Sequence, residues 1–340
     1  VKNLVADRNV TFKGASNAIT GAVSGSGNIT LDSGSVLTYS GTGLDGMTVS
    51  GGGTLEVAAD MSVGTNLQGI TGTVTVKDGA TLSSSKNSGG IGFVKGAVVV
   101  KAGSTLVLTG TDAFGYKDDD YTDSITLGGG AKTAFLKLAK RQTMSTGLVM
   151  NGNATVTTTD TGALGRDNGD VASLQAFAGS ITATGVDNTI GVALIVNGGT
   201  GNGATYDIIV NGEDGKLALT GGLGQNSAGT FNKTGAGELS ISGTTFVRSN
   251  ANALYTSSLK LSEGSLILSD AGTMGSGHLY IGAGLTTSMG ADGTGSYVLD
   301  ASTLHTMALT GASATSSALA GTLTMSGGTL SLDNSGGSLI

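Results

Sequence analysis

The 340-residue sequence contains no cysteine, no proline and no tryptophan, and only 4% of its residues are aromatic. Without cysteine the chain has no disulfide, no thiolate nucleophile and no thiolate metal ligand. The absence of proline suits strands that donate backbone hydrogen bonds to a neighbour on each side, because proline lacks that donor. The missing residues therefore exclude several kinds of site and favour a strand-rich fold.

Charged residues are also few, at 12% of the chain, and the formal net charge is −7. Nucleic acids and anionic membrane surfaces favour basic partners, so we expect no nucleic-acid partner. Every apolar run is short and broken by Gly, Ser or Thr, and we therefore expect no membrane insertion by this segment. The chain begins at Val1 without an initiator Met or an apolar signal region, which is typical of a mature or fragmentary chain.

Glycine is abundant, with 61 residues, in a chain whose mean hydropathy of +0.18 favours a buried core over disorder. Residues 96–110 show how the glycines are used: two short apolar runs flank a polar corner that contains Gly103. Glycine suits such a corner because it adopts a positive φ without strain. The same spacing, an apolar residue closing a run and a glycine three positions later, recurs at Leu31 and Gly34, Val49 and Gly52, Val76 and Gly79, Val100 and Gly103, Leu127 and Gly130, Leu261 and Gly264, and Met325 and Gly328.

Spacings of 18, 27 and 24 residues separate the first four of these glycines (52−34, 79−52, 103−79). Repeats of this length are typical of solenoid coils. The sequence therefore predicts an all-β fold, a right-handed parallel β-helix forming a single elongated domain over residues 1–340, with residues 1–20 as an entry or capping coil. Residues 29–31, 47–49, 74–76 and 98–100 are expected to stack as one parallel sheet, with about 4.8 Å per coil.

Residues 111–147 depart from the repeat, and we interpret them as an excursion loop followed by an irregular coil. The loop holds the densest acidic and aromatic group in the chain, and exposed aromatic residues on a loop favour recognition. The predicted contact loop consists of Tyr116, Asp118, Asp119, Asp120 and Tyr121. A solvated loop is the plain alternative, and Asp118, Asp120 and Asp123 are the candidates for a metal site.

A basic group follows the acidic loop and comprises Lys132, Lys137, Lys140 and Arg141. It could pair with the acidic loop, bind an acidic glycan or form an ordinary solvated face. The segment is either a strand with a basic outer face or a short helix.

No catalytic or cofactor-binding residue is predicted. His278 and His305 each adjoin a predicted strand, where an outward strand-end position is the simplest interpretation. The glycine-rich phrases lack the Lys-Ser/Thr pair of a phosphate loop, and they do not form a calcium-binding nonapeptide array. The expected cofactors are therefore none.

Residues 231–243, Phe-Asn-Lys-Thr-Gly-Ala-Gly-Glu-Leu-Ser-Ile-Ser-Gly, resemble the passenger-associated repeat of bacterial autotransporters. Its second element, Gly-x-Leu-x-Leu, is similar to residues 264–268, so the match covers residues 231–268. The resemblance implies a β-helix that is exported and displayed on, or released from, the surface of a Gram-negative cell. The sequence departs from the family in lacking the C-terminal barrel and a visible signal peptide.

The predicted function is a secreted or cell-surface structural or adhesive solenoid without catalytic activity, located outside a bacterial cell, with a host cell or a glycan surface as partner. One alternative is a subunit that self-associates end to end into an extracellular fibre, because an open strand edge accepts another strand. The other is a polysaccharide lyase or glycosidase, since β-helices also host such enzymes. That alternative requires grouped carboxylates, which only the acidic loop offers.

Overall fold

The structure is a computed structural model that describes residues 1–77, 79–87, 91–115, 121–159, 163–164, 171–176, 179–196, 204–225 and 229–241, and thereafter individual strands up to residue 333. Throughout this described part the regular elements are strands, all pairings are parallel, and no helix occurs that is long and apolar enough to cross a membrane. The predicted all-β parallel solenoid is confirmed. Its right-handedness stays a prediction, supported by the strong preference of parallel crossovers for that hand.

The chain forms two compact units, Val1–Leu174 and Gln175–Ile340. The prediction of a single domain stays a prediction. The strands that begin in the first unit are β1 (Leu4–Val5), β2 (Val10–Phe12), β3 (Asn17–Ile19), β4 (Val23–Ser24), β5 (Asn28–Leu31), β6 (Val36–Tyr39), β7 (Thr48–Gly51), β8 (Thr54–Val57), β9 (Met61–Val63), β10 (Gly69–Ile70), β11 (Thr73–Val76), β12 (Thr81–Ser84), β13 (Ala97–Lys101), β14 (Thr105–Leu108), β15 (Ser124–Gly128), β16 (Ala134–Leu138), β17 (Gln142–Met144), β18 (Leu148–Asn151), β19 (Ala154–Thr158), β20 (Ala163–Leu164) and β21 (Val171–Ala176).

The strands of the second unit follow the same style of short segments. They are β22 (Ser180–Thr184), β23 (Asn188–Ile190), β24 (Ala193–Val196), β25 (Ala204–Asn211), β26 (Lys216–Leu219), β27 (Leu223–Gln225), β28 (Gly229–Thr234), β29 (Glu238–Ile241), β30 (Phe246–Val247), β31 (Ser258–Leu261), β32 (Ser265–Leu268), β33 (His278–Ile281), β34 (Thr286–Gly290), β35 (Ser296–Leu299), β36 (Leu304–Thr310), β37 (Leu323–Met325) and β38 (Thr329–Asp333).

Three parallel ladders build the sides of the first unit. Ladder A runs β3, β6, β8, β11, β13, β15, β18; ladder B runs β9, β12, β14, β16, β19; and ladder C runs β2, β5, β7, β10. In ladder A, Thr54 pairs with Thr73 and Thr73 with Ala97, so successive coils contain 19 and 24 residues (73−54, 97−73). The coil length varies because the corners differ in length while the sides stay in register.

Alternation of side chains fills the interior of the coils. Each strand of ladder A places two apolar side chains inward, and the register stacks them into rows, because successive residues of a strand point to opposite faces. One buried row comprises Leu37, Leu55, Val74, Val98, Ile125 and Leu148, and the other comprises Tyr39, Val57, Val76, Val100, Leu127 and Met150. These rows form the core that stabilises the solenoid.

The expected stacking of four apolar runs in one sheet is wrong. Ile29 pairs with Val49 in ladder C, whereas Val74 pairs with Val98 in ladder A. The reason lies in the interval of 27 residues between Gly52 and Gly79: one coil in this region takes 19 residues, and the remaining eight carry the phrase along one further side. The repeated phrase therefore marks two different corners of the coil.

Two segments that the sequence singled out fit this arrangement. Within residues 1–20, β2 pairs with β5 and β3 pairs with β6, which makes this segment a first coil. After the excursion, β15 and β16 return to ladders A and B in register. Among the described residues, the irregularity predicted for 111–147 is thus confined to 111–115 and 121–123, and the basic segment is a strand rather than a helix.

In the second unit, ladder D runs β22, β25, β28, β31, β33, β35, β37; ladder E runs β23, β26, β29, β32, β34, β36, β38; and ladder F runs β24, β27, β30. The two elements of the passenger-like repeat lie one coil apart in ladder E, where Leu239 pairs with Leu266. The repeat therefore corresponds to two neighbouring coils.

Candidate contact site

The excursion loop leaves the solenoid directly after β14. Thr109 still follows the coil, because its N–H donates to the carbonyl oxygen of Ser84 at 2.9 Å. The backbone then turns through positive φ values at Asp112 (51°) and Gly115 (103°). Aspartate is one of the few non-glycine residues that tolerate such values, so the turn is set locally by residue type.

Hydrogen bonds hold both ends of the loop against the coil below. The N–H of Phe93 donates to the carbonyl of Ala113 at 2.7 Å, and the N–H of Thr122 donates to the carbonyl of Phe114 at 3.0 Å. The Oγ1 of buried Thr122 donates to the carbonyl of Val94 at 2.8 Å. The outgoing and returning strands of the loop are thereby fixed next to each other, and the tip lies between them.

An aromatic pair supports the base from within. The rings of Phe93 and Phe114 are both buried, with centroids 6.3 Å apart and planes tilted by 47°. Aromatic pairs of this geometry stabilise a fold beyond the apolar area they bury. Phe114 thus anchors the loop in the apolar interior.

A buried polar network fixes the base from the next coil. The carboxylate of Asp112 is 1% exposed and accepts three hydrogen bonds: from Arg141 Nε at 3.3 Å, from Arg141 Nη2 at 2.6 Å and from Thr143 Oγ1 at 2.7 Å. The N–H of Asp112 also donates to the carbonyl of Arg141 at 2.9 Å. A two-pronged arginine–carboxylate pair is directional as well as strong, so it holds Asp112 in one position.

Gln142 extends this network on the same strand, β17. Its Oε1 accepts the N–H of Ala113 at 2.7 Å, and its Nε2 donates to the carbonyl of Gly110 at 2.7 Å. The side chain is fully buried, and it satisfies backbone groups that the excursion removes from the strand ladders. The base of the loop is therefore a built platform.

The predicted site residues are distributed as follows. Tyr121 is half-buried and Asp123 is exposed at the start of β15. Tyr116, Asp118, Asp119 and Asp120 lie outside the described residues. Within the part of the chain that the structure describes, no three His, Asp or Glu side chains come together as a metal site, and Asp123 has no such partners there. His278 begins β33, and His305 is the second residue of β36.

The predicted basic group does not act as one unit. Arg141 is the partner of Asp112 and contributes to the buried platform. Lys132 and Lys137 point away from the core, at the corner before β16 and on its outer face. The pairing between basic group and loop that the sequence allowed exists for Arg141, with Asp112 rather than with the aspartates of the tip.

Sequence analysis missed Asp112, Gln142 and Thr143. The available signal was their separation, since residues 112 and 141 are 29 positions apart, close to one coil of the neighbouring ladders. Each of these residues is unremarkable in its local segment, so only pairing across the coil reveals the network.

Comparisons with known proteins add no name to this arrangement: no family model, no curated protein and no solved structure matches the chain.

Proposed function

We propose that this protein is a secreted or surface-displayed bacterial β-solenoid that acts as a structural or adhesive scaffold, presents the loop at residues 116–121 for contact and performs no catalysis. The passenger-like repeat at 231–268 supports the bacterial-surface setting, with a Gram-negative cell as the source that the resemblance implies. A parallel solenoid suits this role because its coils supply a regular support for exposed loops.

The platform beneath the tip carries the proposal. Asp112, Arg141, Gln142 and Thr143 fix the base with buried hydrogen bonds, at a place where a plain corner would need none of them. A loop that is held before binding loses less conformational entropy when it binds. A fixed base under an acidic and aromatic tip is the arrangement expected of a recognition loop.

The test is to replace residues 116–121 by a Gly-Ser segment of equal length and to measure binding to cell suspensions and to a glycan array. The wild-type protein is expected to bind, and the variant to lose binding while its circular dichroism is unchanged. A matched control replaces the exposed corner residues Glu213 and Asp214 by Gly and Ser, which removes acidic charge elsewhere. Equal binding by the tip variant and the wild-type protein would contradict the proposal.

A second variant tests the platform without altering the tip. Asp112→Ala removes the acceptor of three hydrogen bonds and leaves the Arg141 cation without its carboxylate, at a cost of about 1 to 3 kcal/mol. We expect weaker binding and faster proteolysis within the loop. The control Asp32→Ala breaks the exposed pair with Lys13, which spans 3.7 Å, and should change neither.

Two other outcomes would favour the alternatives. Filaments of uniform width that grow with protein concentration, seen by negative-stain electron microscopy, would support a fibre subunit. Calcium-dependent cleavage of an acidic polysaccharide that is lost in Asp118→Asn or Asp120→Asn would support an enzyme. The adhesive proposal expects single particles at every concentration and no cleavage.

A further inference from the structure

The outer face of ladder B in the first unit has an unexpected composition. Two outward columns run across its coils: Thr81, Thr105, Phe135, Thr155 and Ser83, Val107, Lys137, Thr157. Hydroxyl side chains dominate both columns, and β16 interrupts each of them, with an aromatic ring in one and a cation in the other. Lys137 Nζ lies 5.7 Å from the centroid of the Phe135 ring.

Two further lysines join this face at the corner between ladders A and B. Lys101 ends β13 and is exposed, and Lys132 is exposed one coil further on. The two corners are in contact, because the N–H of Gly103 donates to the carbonyl of Thr133 at 3.1 Å, and the aliphatic chain of Lys132 lies over Gly103. We call Lys101, Lys132, Lys137 and Phe135 the basic face.

The charges of the basic face are not neutralised by the protein. Neither Lys101, Lys132 nor Lys137 forms an ion pair in the part of the chain that the structure describes, although the whole chain carries a net charge of −7. By contrast, Lys77 on a neighbouring coil pairs with Glu56 at 2.7 Å. Like charges gathered on one surface repel one another, so an anionic ligand would relieve this repulsion.

The spacing of the charges indicates the size of that ligand. Lys132 and Lys137 are five residues apart, which is roughly 15 Å along an extended chain, and Lys101 adds a further coil of about 4.8 Å. A single small anion cannot contact all three ammonium groups. An extended polymer with separated negative charges can.

We propose that the basic face binds an acidic polysaccharide, a chain of sugars that carries carboxylate groups at intervals. The three lysines would pair with carboxylates, the half-buried Phe135 ring would pack on the apolar face of a sugar ring, and the surrounding Thr and Ser hydroxyls would exchange hydrogen bonds with sugar hydroxyls. Nucleic acid fits less well, because its dense phosphates would be repelled by the acidic remainder of the protein. This inference rests on the proposed adhesive function and assigns a ligand class to a second surface.

The experiment uses the full chain and polygalacturonate as the probe, with uncharged dextran as the reference polymer, in a surface-binding assay at several salt concentrations. The wild-type protein is expected to bind polygalacturonate, to bind it less as salt rises, and not to bind dextran. The triple variant Lys101→Gln, Lys132→Gln, Lys137→Gln should bind about tenfold more weakly at low salt, since each exposed pair contributes at most about 1 kcal/mol. The control variant Lys2→Gln, Lys13→Gln, Lys216→Gln makes the same charge change at exposed sites elsewhere and should bind like the wild-type protein.

A fourth variant separates ring packing from charge. Phe135→Thr gives its column the residue that stands at Thr105 and Thr155, and it should weaken binding at both low and high salt. Equal binding by the triple variant and its control, no binding by the wild-type protein, or tighter binding to single-stranded DNA of matched charge would each overturn the inference. The Gly-Ser tip variant keeps the basic face, so loss of cell binding there with polygalacturonate binding intact shows that the two surfaces act separately. If polygalacturonate binding is absent while tip-dependent adhesion persists, this inference fails and the proposed function stands.

Discussion

Lys233 shows how one residue can differ from the pattern that surrounds it. Its position in ladder D pairs with Ile208, which in turn pairs with Ile181, and both isoleucines are buried. Lys233 is fully buried as well, and its Nζ donates to the carbonyls of Thr234 at 3.0 Å and Gly235 at 2.6 Å. Gly235 has a φ of 77°, so the lysine binds the carbonyl groups of a left-handed corner. In the passenger-like phrase Lys-Thr-Gly, the lysine is thus a corner-stabilising residue.

We expect Lys233→Ala to lower the urea midpoint strongly. The change removes two hydrogen bonds at a buried corner and leaves a cavity where neighbouring coils hold isoleucine, for a loss of about 2 to 4 kcal/mol. Lys216→Ala is the control, because Lys216 is 60% exposed and only 4.0 Å from Glu238, and it should cost less than about 0.5 kcal/mol. Equal urea midpoints for the two variants would show that the lysine does not support the corner.

At the scale of the element, a column of glycines allows the coils to approach one another closely. Gly53, Gly72 and Gly96 each come immediately before, or within two residues of, a strand of ladder A on consecutive coils. A Cβ atom built on Gly72 would overlap the carbonyl oxygen of Gly53, and one on Gly96 would overlap that of Gly72. The N–H of Ala97 donates to Gly72 O at 3.0 Å, so this tight approach belongs to the hydrogen bonding between coils.

Gly72→Ala should therefore destabilise the first unit by about 2 to 3 kcal/mol, because the methyl group forces two coils apart. The matched control is Gly64→Ala, where the nearest atom to a new Cβ is Asn66 Oδ1 at 4.0 Å. Thermal unfolding followed by circular dichroism compares the two variants. A melting temperature that falls equally in both would mean that glycine itself, rather than close approach, is responsible.

At the scale of the whole molecule, stability in acid depends on the few carboxylates that have partners. Glu56 joins three coils: it accepts hydrogen bonds from Lys77 Nζ and Thr38 Oγ1, both at 2.7 Å. These bonds, the one from Lys77 first, lower the pKa of Glu56 below its ordinary value of 4.5. A carboxylate whose pKa is lowered by folding stabilises the protein above its unfolded pKa, and this contribution is lost as the pH falls through the folded pKa.

Glu56→Gln should consequently reduce stability at neutral pH and make the loss of stability below about pH 4.5 less steep. Urea unfolding at pH 7 and at a series of acidic values measures both effects. Asp45→Asn is a suitable control at an exposed aspartate, and its pH profile should match that of the wild-type protein. Parallel profiles for Glu56→Gln and wild type would rule out this carboxylate as a contributor.

The sequence by itself determined the all-β solenoid, because short apolar runs, glycine corners and the absence of proline are local features, and Gly103 has the predicted positive φ of 80°. It also located the excursion after residue 110. Only the tertiary structure decided that Gly52 and Gly79 mark different corners, that Asp112 pairs with Arg141, and that Lys101 lies beside Lys132. These relations join residues of neighbouring coils, and the number of residues in a coil varies with the corners. Local pattern fixes the strands, whereas register between coils fixes the sites.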